Sequence, residues 1–305
     1  GHLRTIKWQL NPSVHLRVSY FKEKDIFGVN QTFYNDGCLK VMAGFEEKTI
    51  DVITTSPPYN IKKDYGAYKD DLPWDEYLVW IKTLSEEFFR ILKDDGSLFL
   101  NIGSTNKKPE MSMEVCFEVM KSFKLQNHIT WVKSITIKGE AFDRTHNPKP
   151  NKDAIHSYGH FKPVNSKRFL NNTFENIFHF TKTGENDIQR LAIGVPFNDC
   201  QNLYRRKHRN TVRCRGNTWY IPYHTVVSKS EKYNHPAGFP CELPLTCIKL
   251  HGIRENLVVL DPFLGTGSTS VAAKQLDVNC IGIELDKNFY DIAVSRTGEG
   301  EKDVE

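Results

Sequence analysis

Strand-like and helix-like segments alternate along the middle of this chain, and this alternation limits the possible folds more than any other feature. Apolar runs at residues 49–55, 97–102 and 128–132 have the length and composition of buried strands. Residues 75–92 and 113–123 lie between them and carry the pattern of amphipathic helices. Strands that alternate with helices form a parallel sheet covered on both faces. The sequence therefore predicts an α/β fold with a mostly parallel central sheet.

The first predicted strand ends at a rigid tetrapeptide. Residues 49–55 are β-branched except for Asp51, and the residues that follow are Ser56, Pro57, Pro58 and Tyr59. Prolines fix φ, so a hydroxyl, two backbone carbonyls and an aromatic ring are held at the carboxyl end of a strand. Open α/β sheets bind their ligands at that edge. A simple Pro-Pro turn with a surface tyrosine would have the same sequence, so this motif alone leaves both interpretations open.

A second motif lies far downstream and has the form strand, glycine turn, helix. A strand-like run at residues 256–260 leads into residues 261–268, with the sequence DPFLGTGS, and residues 270–276 have a helical pattern. Glycines let the backbone approach a ligand, and the start of a helix offers free N–H groups. The next strand-like run, Asn279–Ile283, is followed by Glu284, an acid placed to hydrogen-bond a ribose diol. No lysine follows the glycines, so this is not a Walker phosphate loop.

A basic cluster stands outside the regular α/β pattern. It contains no acidic residue between positions 204 and 215, and its cationic members are Arg205, Arg206, Lys207, Arg209, Arg213 and Arg215. The net charge of the whole chain is only +4, so a nucleic-acid surface would have to come from such clustering. Interleaved aromatic residues favour DNA binding. A solvated charged face is the alternative.

Composition excludes several other classes of protein. No apolar run approaches the roughly 20 residues of a membrane span, and we expect no signal peptide. The seven cysteines are scattered and include no CxxC pair, which predicts free thiols, a reducing compartment and no metal site. The chain begins at Gly1 without a methionine, so we expect it to be trimmed, and flanking domains could be missing.

Together, the two motifs resemble those of the amino-methylating DNA methyltransferases that use S-adenosylmethionine. The tetrapeptide beginning at Ser56 is similar to the catalytic motif of that family, and residues 261–268 are similar to its cofactor motif. Residues 235–240 resemble the segment that closes over the methionine part of the cofactor. The order of catalytic motif, insertion and cofactor motif matches the permuted β group. The resemblance covers roughly residues 30–295 and implies a Rossmann-like fold in which the strands of the two motifs are neighbours.

The resemblance also implies which residues surround the cofactor. They are Asp36, His235, Phe239, Asp261, Phe263, Gly265, Thr266, Gly267, Ser268 and Glu284. Three of them have an ordinary structural alternative: Asp36 as a helix cap, His235 as a turn histidine and Phe263 as a core residue. Ser56, Pro57, Pro58 and Tyr59 would be catalytic, and no metal is expected.

The same resemblance implies the organisation of the chain and its partners. We expect a catalytic half at residues 30–182, a target-recognition insertion at 183–230 and a cofactor-binding half at 231–298, after an N-terminal extension at 1–29. The partner would be double-stranded DNA, a homodimer is allowed for, and no membrane is involved. The protein would be intracellular, located with the DNA.

The expected reaction is methyl transfer to the exocyclic N4 amine of a cytosine flipped out of the duplex. Family members whose catalytic motif begins with serine mostly methylate cytosine, whereas those with aspartate mostly methylate the N6 amine of adenine. No cysteine lies beside the prolines, as carbon methylation of cytosine would require. The alternatives are adenine N6 methylation, an inactive DNA-binding subunit and methylation of a protein amide.

Overall fold

One sheet of eight strands forms the centre of the fold. The computed structural model describes residues 30–138, 155–159, 163–197, 212–222 and 238–297. In order across the sheet, the strands are β1 (Gln31–Tyr34), β14 (Asn279–Ile283), β13 (Val258–Asp261), β2 (Ile50–Thr55), β5 (Leu92–Ile102), β9 (Phe174–Thr181), β6 (Lys124–Val132) and β12 (Thr218–Tyr220). Neighbours pair in parallel, except that β9 runs antiparallel to both β5 and β6. The predicted α/β fold with a mostly parallel sheet is therefore confirmed.

Helices cover both faces of this sheet. They are α1 (Cys38–Met42), α2 (Trp74–Ile91), α3 (Met111–Val119), α4 (Glu242–His251), α5 (Ser268–Gln275) and α6 (Lys287–Thr297). The side chains of β2 alternate between two cores, because successive residues of a strand point to opposite faces. Ile53 packs into the core that includes α2 and α3, whereas Val52 packs into the core that includes α4 and α5.

Strand β5 begins five residues earlier than the sequence predicts. The predicted strand began at Ser97, because Asp94, Asp95 and Gly96 are typical turn residues. In the structure these residues belong to β5, and the pairing of β5 with β2 shifts register between Ile50 and Val52. This bulge accommodates the extra residues of β5. Farther along the chain, where the sequence shows no regular strand or helix pattern, β7 (Ser134–Lys138) and β8 (Ile155–Gly159) form an antiparallel pair.

Two further short pairs lie outside the main sheet: β3 (Asp64–Tyr65) with β4 (Tyr68–Lys69), and β10 (Val195–Pro196) with β11 (Val212–Arg213). Strand β12 comes from the predicted recognition insertion, yet it pairs with β6 at the edge of the main sheet. Within the described ranges, no helix has the length and apolar character needed to cross a membrane. The six cysteines in those ranges are free thiols.

Candidate active site

Strand β2 brings the Ser-Pro-Pro-Tyr motif to the carboxyl edge of the sheet, between β13 and β5. All six residues of β2 are buried. Ile53 pairs with Leu260 of β13, and Thr55 pairs with Leu100 of β5. The strands of the two sequence motifs are therefore neighbours, as the resemblance implied. Ser56 leaves the sheet between the ends of two parallel strands, where a ligand can reach it.

The hydroxyl of Ser56 belongs to a hydrogen-bonded network that ends on a carboxylate. Its Oγ lies 2.9 Å from Oη of Tyr59, and that Oη donates to Oε2 of Glu175 over 3.0 Å. Nδ2 of Asn101 donates to the same Oε2 over 2.8 Å and to Oη of Tyr59 over 2.9 Å. Because β9 is antiparallel to β5, its beginning lies beside the end of β5, and Glu175 meets Asn101 there.

Glu175 is largely buried and is held in its ionised form. Burial opposes its ionisation, but the charge of Lys133 and hydrogen bonds from Lys133, Asn101 and Tyr59 keep the pKa of Glu175 below its ordinary value. Nζ of Lys133 donates to Oε1 of Glu175 over 2.6 Å. Gly103 makes this packing possible, since a Cβ there would lie 3.1 Å from Cγ of Glu175 and 3.2 Å from the ring of Tyr59.

Sequence reasoning did not identify Asn101, Lys133 or Glu175 as site residues. Asn101 had a usable signal, because it is a polar residue close to the end of an apolar strand, the same cue that marked Ser56. Glu175 and Lys133 had none, because they join the site only through the antiparallel placement of β9.

The carbonyl of Pro58 is tied to helix α2. Oη of Tyr77 donates to this carbonyl over 2.7 Å. The ring of Tyr77 lies 5.6 Å from that of Trp80, which in turn lies 5.6 Å from the ring of Phe263 in the glycine turn. Phe263 is thus partly a packing residue, and this aromatic row connects the end of β2 with the turn after β13.

Asp261, the last residue of β13, fastens the turn to β2. Its Oδ1 accepts hydrogen bonds from Oγ1 of Thr55 over 2.7 Å and from the amide of Phe263 over 3.1 Å. Its Oδ2 accepts from Oγ1 of Thr269 over 2.6 Å. The side chain has no exposed surface, and burial raises the pKa of Asp261 to about 6. Its carboxylate therefore holds the two motifs in register.

The glycine turn depends on two residues with left-handed backbone conformations. Gly265 has φ 56° and Gly267 has φ 84°, values that favour glycine. The amide of Gly265 donates to Oε2 of Glu284 over 2.7 Å, and the amide of Asp286 donates to Oε1 over 2.9 Å. Burial raises the pKa of Glu284. Each of its oxygens retains a lone pair that could accept a hydroxyl of a ligand.

The segment between β2 and α2 runs from the Ser-Pro-Pro-Tyr motif to the end of β14. Buried Asp70 accepts hydrogen bonds of 2.7–3.0 Å from three backbone amides of the segment, those of Asn60, Ile61 and Lys63. Farther along, the amide of Ala67 donates to Oδ2 of Asp286 over 3.3 Å. The segment that follows Tyr59 therefore reaches the end of β14, close to Glu284.

A comparison with known protein families shows the family of this chain. The model of the DNA methylase family N6_N4_Mtase matches residues 50–295, which include both sequence motifs. The chain belongs to this family.

Two Type II methyltransferases are among the relatives of this methylase. Type II methyltransferase M.HpaI of Haemophilus parainfluenzae is 25% identical over 269 residues, which are 88% of this chain and 74% of that protein. Type II methyltransferase M.Cfr9I of Citrobacter freundii is 28% identical over 286 residues, covering 87% of each chain.

Two solved structures share the fold. PvuII DNA methyltransferase, described as cytosine-N4-specific, has a TM-score of 0.62 and 18% identity, and the match covers 90% of this chain and 88% of that one. The M1.HpyAVI structure, solved as a complex with S-adenosylmethionine, has a TM-score of 0.51 and 21% identity, and the match covers 87% of this chain and 99% of that one.

Other residues predicted for cofactor binding in the methylase lie around the same turn. Oγ of Ser268 donates to the carbonyl of Phe239 over 2.8 Å, which places Phe239 against the turn. Nη1 of Arg296 donates to Oγ1 of Thr266 over 3.2 Å and also contacts its carbonyl. Thr266 is thus already engaged by α6.

Asp36 follows β1, the strand beside β14. Its Oδ1 accepts from the amide of Gly37 over 2.7 Å, and a hydrogen bond from Lys40 lowers the pKa of Asp36. The N-cap of α1 is Gly37 and has no side-chain capping hydrogen bond, so Asp36 contacts the start of the helix but does not cap it. The carbonyl of Tyr34 accepts from the amide of Glu284 over 2.9 Å, so Asp36 belongs to the same edge of the sheet.

The predicted DNA-binding residues are only partly within the described ranges. Arg213 lies in β11 and is exposed, and Arg215 follows it and is half-buried. Five predicted residues lie outside the described part of the chain: Arg205, Arg206, Lys207, Arg209 and His235. Within that part, no group of three or more His, Cys, Asp or Glu residues could hold a metal ion.

Proposed function

We propose that this methylase transfers a methyl group from S-adenosyl-L-methionine to the exocyclic N4 amine of a cytosine flipped out of double-stranded DNA, and that it belongs to the permuted β group. The observation that carries the proposal is the pairing of β2 with β13. It puts the Ser-Pro-Pro-Tyr motif and the glycine turn side by side at one edge of the sheet. A methyl donor bound at one would face an acceptor held at the other.

The residues at the glycine turn fit S-adenosylmethionine. Glu284 has free acceptor capacity for the two ribose hydroxyls, and the left-handed glycines at 265 and 267 let the backbone approach the ligand. Phe239 and Phe263 would line the pocket, together with His235. The cofactor supplies a methyl group activated by its positively charged sulfur. Asp261 acts indirectly in this proposal, by holding the turn against Thr55.

The tetrapeptide would prepare the amine. The amine lone pair is delocalised into the base, so the nitrogen is a poor nucleophile, and it must leave the duplex to be reached. Ser56 Oγ and the carbonyl of Pro57 accept its two hydrogens and turn its lone pair outward. The carbonyl of Pro58 is less suited, because Tyr77 already donates to it. The ring of Tyr59 stacks on the flipped base, worth about 1–3 kcal/mol. The nitrogen would form its bond to the methyl carbon as the carbon–sulfur bond breaks, which would leave S-adenosylhomocysteine, and the amine would lose one proton afterwards. Positioning supplies most of the acceleration.

Cytosine is favoured as the target because the motif begins with serine, and PvuII methyltransferase, described as cytosine-N4-specific, shares the fold. Adenine N6 is the second candidate, since the family name covers both amines. The basic cluster at residues 205–215 would contact the phosphates, within a recognition insertion at 183–230. The enzyme would act inside the cell, on its DNA.

The test is to identify the modified nucleoside. DNA methylated by the purified protein is digested to nucleosides and analysed by mass spectrometry, and sequencing of the modified DNA gives the context. We expect N4-methylcytosine, with none made by Ser56→Ala. N6-methyladenine instead would support the second candidate. A protein that neither methylates DNA nor binds S-adenosylmethionine in calorimetry would overturn the proposal and favour an inactive DNA-binding subunit.

A further inference from the structure

Glu175 lies outside the Ser-Pro-Pro-Tyr motif, yet it sets the direction of the hydrogen bonds within it. An ionised carboxylate only accepts, so the single proton of the Tyr59 hydroxyl is donated to Glu175. Ser56 Oγ, 2.9 Å from Oη of Tyr59, must then donate its own proton to that oxygen. Nδ2 of Asn101 lies 3.4 Å from the same Oγ and takes one of its two lone pairs, so the other lone pair is available to a ligand.

Asn101 supports this direction. Its Nδ2 faces oxygens of Glu175, Tyr59 and Ser56 at 2.8, 2.9 and 3.4 Å, so the amide nitrogen must point towards them. Its Oδ1 is buried and has no hydrogen-bond partner among the described residues. Asn101 and Tyr59 are thus both donors to one carboxylate oxygen.

We propose that Glu175 is a positioning residue that makes Ser56 a hydrogen-bond acceptor towards the target base. The inference rests on the proposed function, because it assumes that a base amine lies at Ser56. An amine offers hydrogens and needs an acceptor, whereas a ring carbonyl at the same position needs a donor. The carboxylate of Glu175 therefore selects bases that carry an amine, through Tyr59 and Ser56, without touching the base.

The hydrogen bond from Lys133 fixes how a glutamine at position 175 would be oriented. Its Nζ can only donate, and it lies 2.6 Å from Oε1 of Glu175. In Glu175→Gln, the amide oxygen must face Lys133, so the NH₂ group faces Tyr59. Tyr59 then turns its proton towards Ser56, and the hydroxyl of Ser56 points its own proton at the base. Adding Lys133→Met frees the amide to present its oxygen to Tyr59 and restores the original direction.

The experiment measures equilibrium binding in the absence of cofactor. Two duplexes carry either the target base or its deaminated analogue, which is uracil for cytosine or hypoxanthine for adenine. Both are placed opposite an abasic site, so that the cost of flipping is similar. We expect the wild type to prefer the amine by at least tenfold. Glu175→Gln should lower this ratio at least fivefold, and the double variant should recover most of it. Glu118→Gln, which alters the ion pair between half-buried Glu118 of α3 and Lys121, is the matched control.

Methylation kinetics provide a second readout. Glu175→Gln should lower kcat with little change in the KM for S-adenosylmethionine, and the double variant should regain part of kcat. Retention of the amine preference in Glu175→Gln, or no recovery in the double variant, would overturn the inference. Failure of the proposed function gives a different result, since the wild type would then methylate no base. If the product is N6-methyladenine, the same comparison is made with the duplexes that carry adenine or hypoxanthine.

Discussion

Thr55 of β2 donates a 2.7 Å hydrogen bond to Asp261 of β13, and this bond joins residues 206 positions apart in the sequence. Thr55 directly precedes Ser56, and Asp261 begins the glycine turn. The bond therefore fixes the distance between the proposed catalytic motif and the proposed cofactor turn. Substitutions that disturb it should affect stability and cofactor binding together.

We expect Asp261 to make stability depend on pH. Its folded pKa of about 6 exceeds the usual aspartate value of about 3.9. The stability that it contributes is therefore complete below about pH 4 and is lost as the pH rises through 6. At about 1.4 kcal/mol per pKa unit, the loss is on the order of 3 kcal/mol in the free energy of unfolding. Denaturant titrations between pH 4 and 7 should show this component in the wild type and its absence in Asp261→Asn.

The matched control for that comparison is Asp277→Asn. Asp277 is exposed and has a positive φ, which asparagine tolerates. This variant should retain the pH dependence of the wild type. Equal pH profiles for the wild type and Asp261→Asn would contradict a raised pKa of this carboxyl.

Glu284→Ala should weaken the binding of S-adenosylmethionine. Hydrogen bonds to a charged group contribute about 1.5–3 kcal/mol, so the Kd should rise about 10- to 100-fold in calorimetry. Glu284→Gln keeps one acceptor oxygen and should show a smaller loss. Glu255→Ala removes an exposed glutamate before β13 and should leave the Kd unchanged. A Kd of Glu284→Ala equal to that of the wild type would show that Glu284 does not bind the cofactor.

Two substitutions of Tyr59 should separate stacking from hydrogen bonding. Tyr59→Phe keeps the ring but removes the acceptor of the Ser56 proton, so kcat should fall at least tenfold while the KM for DNA stays near the wild-type value. Tyr59→Ala also loses about 1–3 kcal/mol of stacking, so the KM for DNA should rise as well. Steady-state methylation assays measure both, with Tyr290→Phe on α6 as the control. Identical kinetics for the two Tyr59 variants would argue against separate roles for ring and hydroxyl.

Reversing the charge of Arg205, Arg206 and Arg209 should abolish methylation of DNA and spare the binding of S-adenosylmethionine. Each lost phosphate contact lowers the slope of log K against log salt by about 0.9, so the slope should fall by about 3 in total. DNA titrations at several salt concentrations provide the measurement. Unchanged methylation of DNA would mean that the protein binds DNA through a different surface. The matched control reverses three exposed lysines, which lie in α2, just after α3 and at the start of β6: Lys82, Lys121 and Lys124.

Local sequence was sufficient where an element has clear boundaries. The run Asn279–Ile283 was predicted to the residue, because a polar turn precedes it and Glu284 ends it. The helix predicted at 75–92 is found at Trp74–Ile91. The prediction for β5 was wrong at its start, because Asp94, Asp95 and Gly96 favour a turn and only pairing with β2 makes them extended.

Some residues of the candidate site can likewise be predicted from local sequence, and others depend on strand pairing. Ser56 and Tyr59 could be identified because the hydroxyl, the prolines and the ring are consecutive in sequence. Glu175 and Lys133 could not, because their roles depend on the register of β9 between β5 and β6, and register is a property of the whole sheet. Asn101 could have been predicted in part, because the sequence shows a polar residue near the end of a buried strand.

The pairing of β12 with β6 has a practical consequence for exchanging the proposed recognition insertion. Trp219 of this strand is buried and pairs with Trp131 of β6. A chimaera that imports a recognition region from a relative should therefore keep Thr218–Tyr220 from this chain and place its downstream junction before Thr218. A junction placed after this strand would expose β6 and the indole of Trp131, and the transplant would lose solubility before its specificity could be measured.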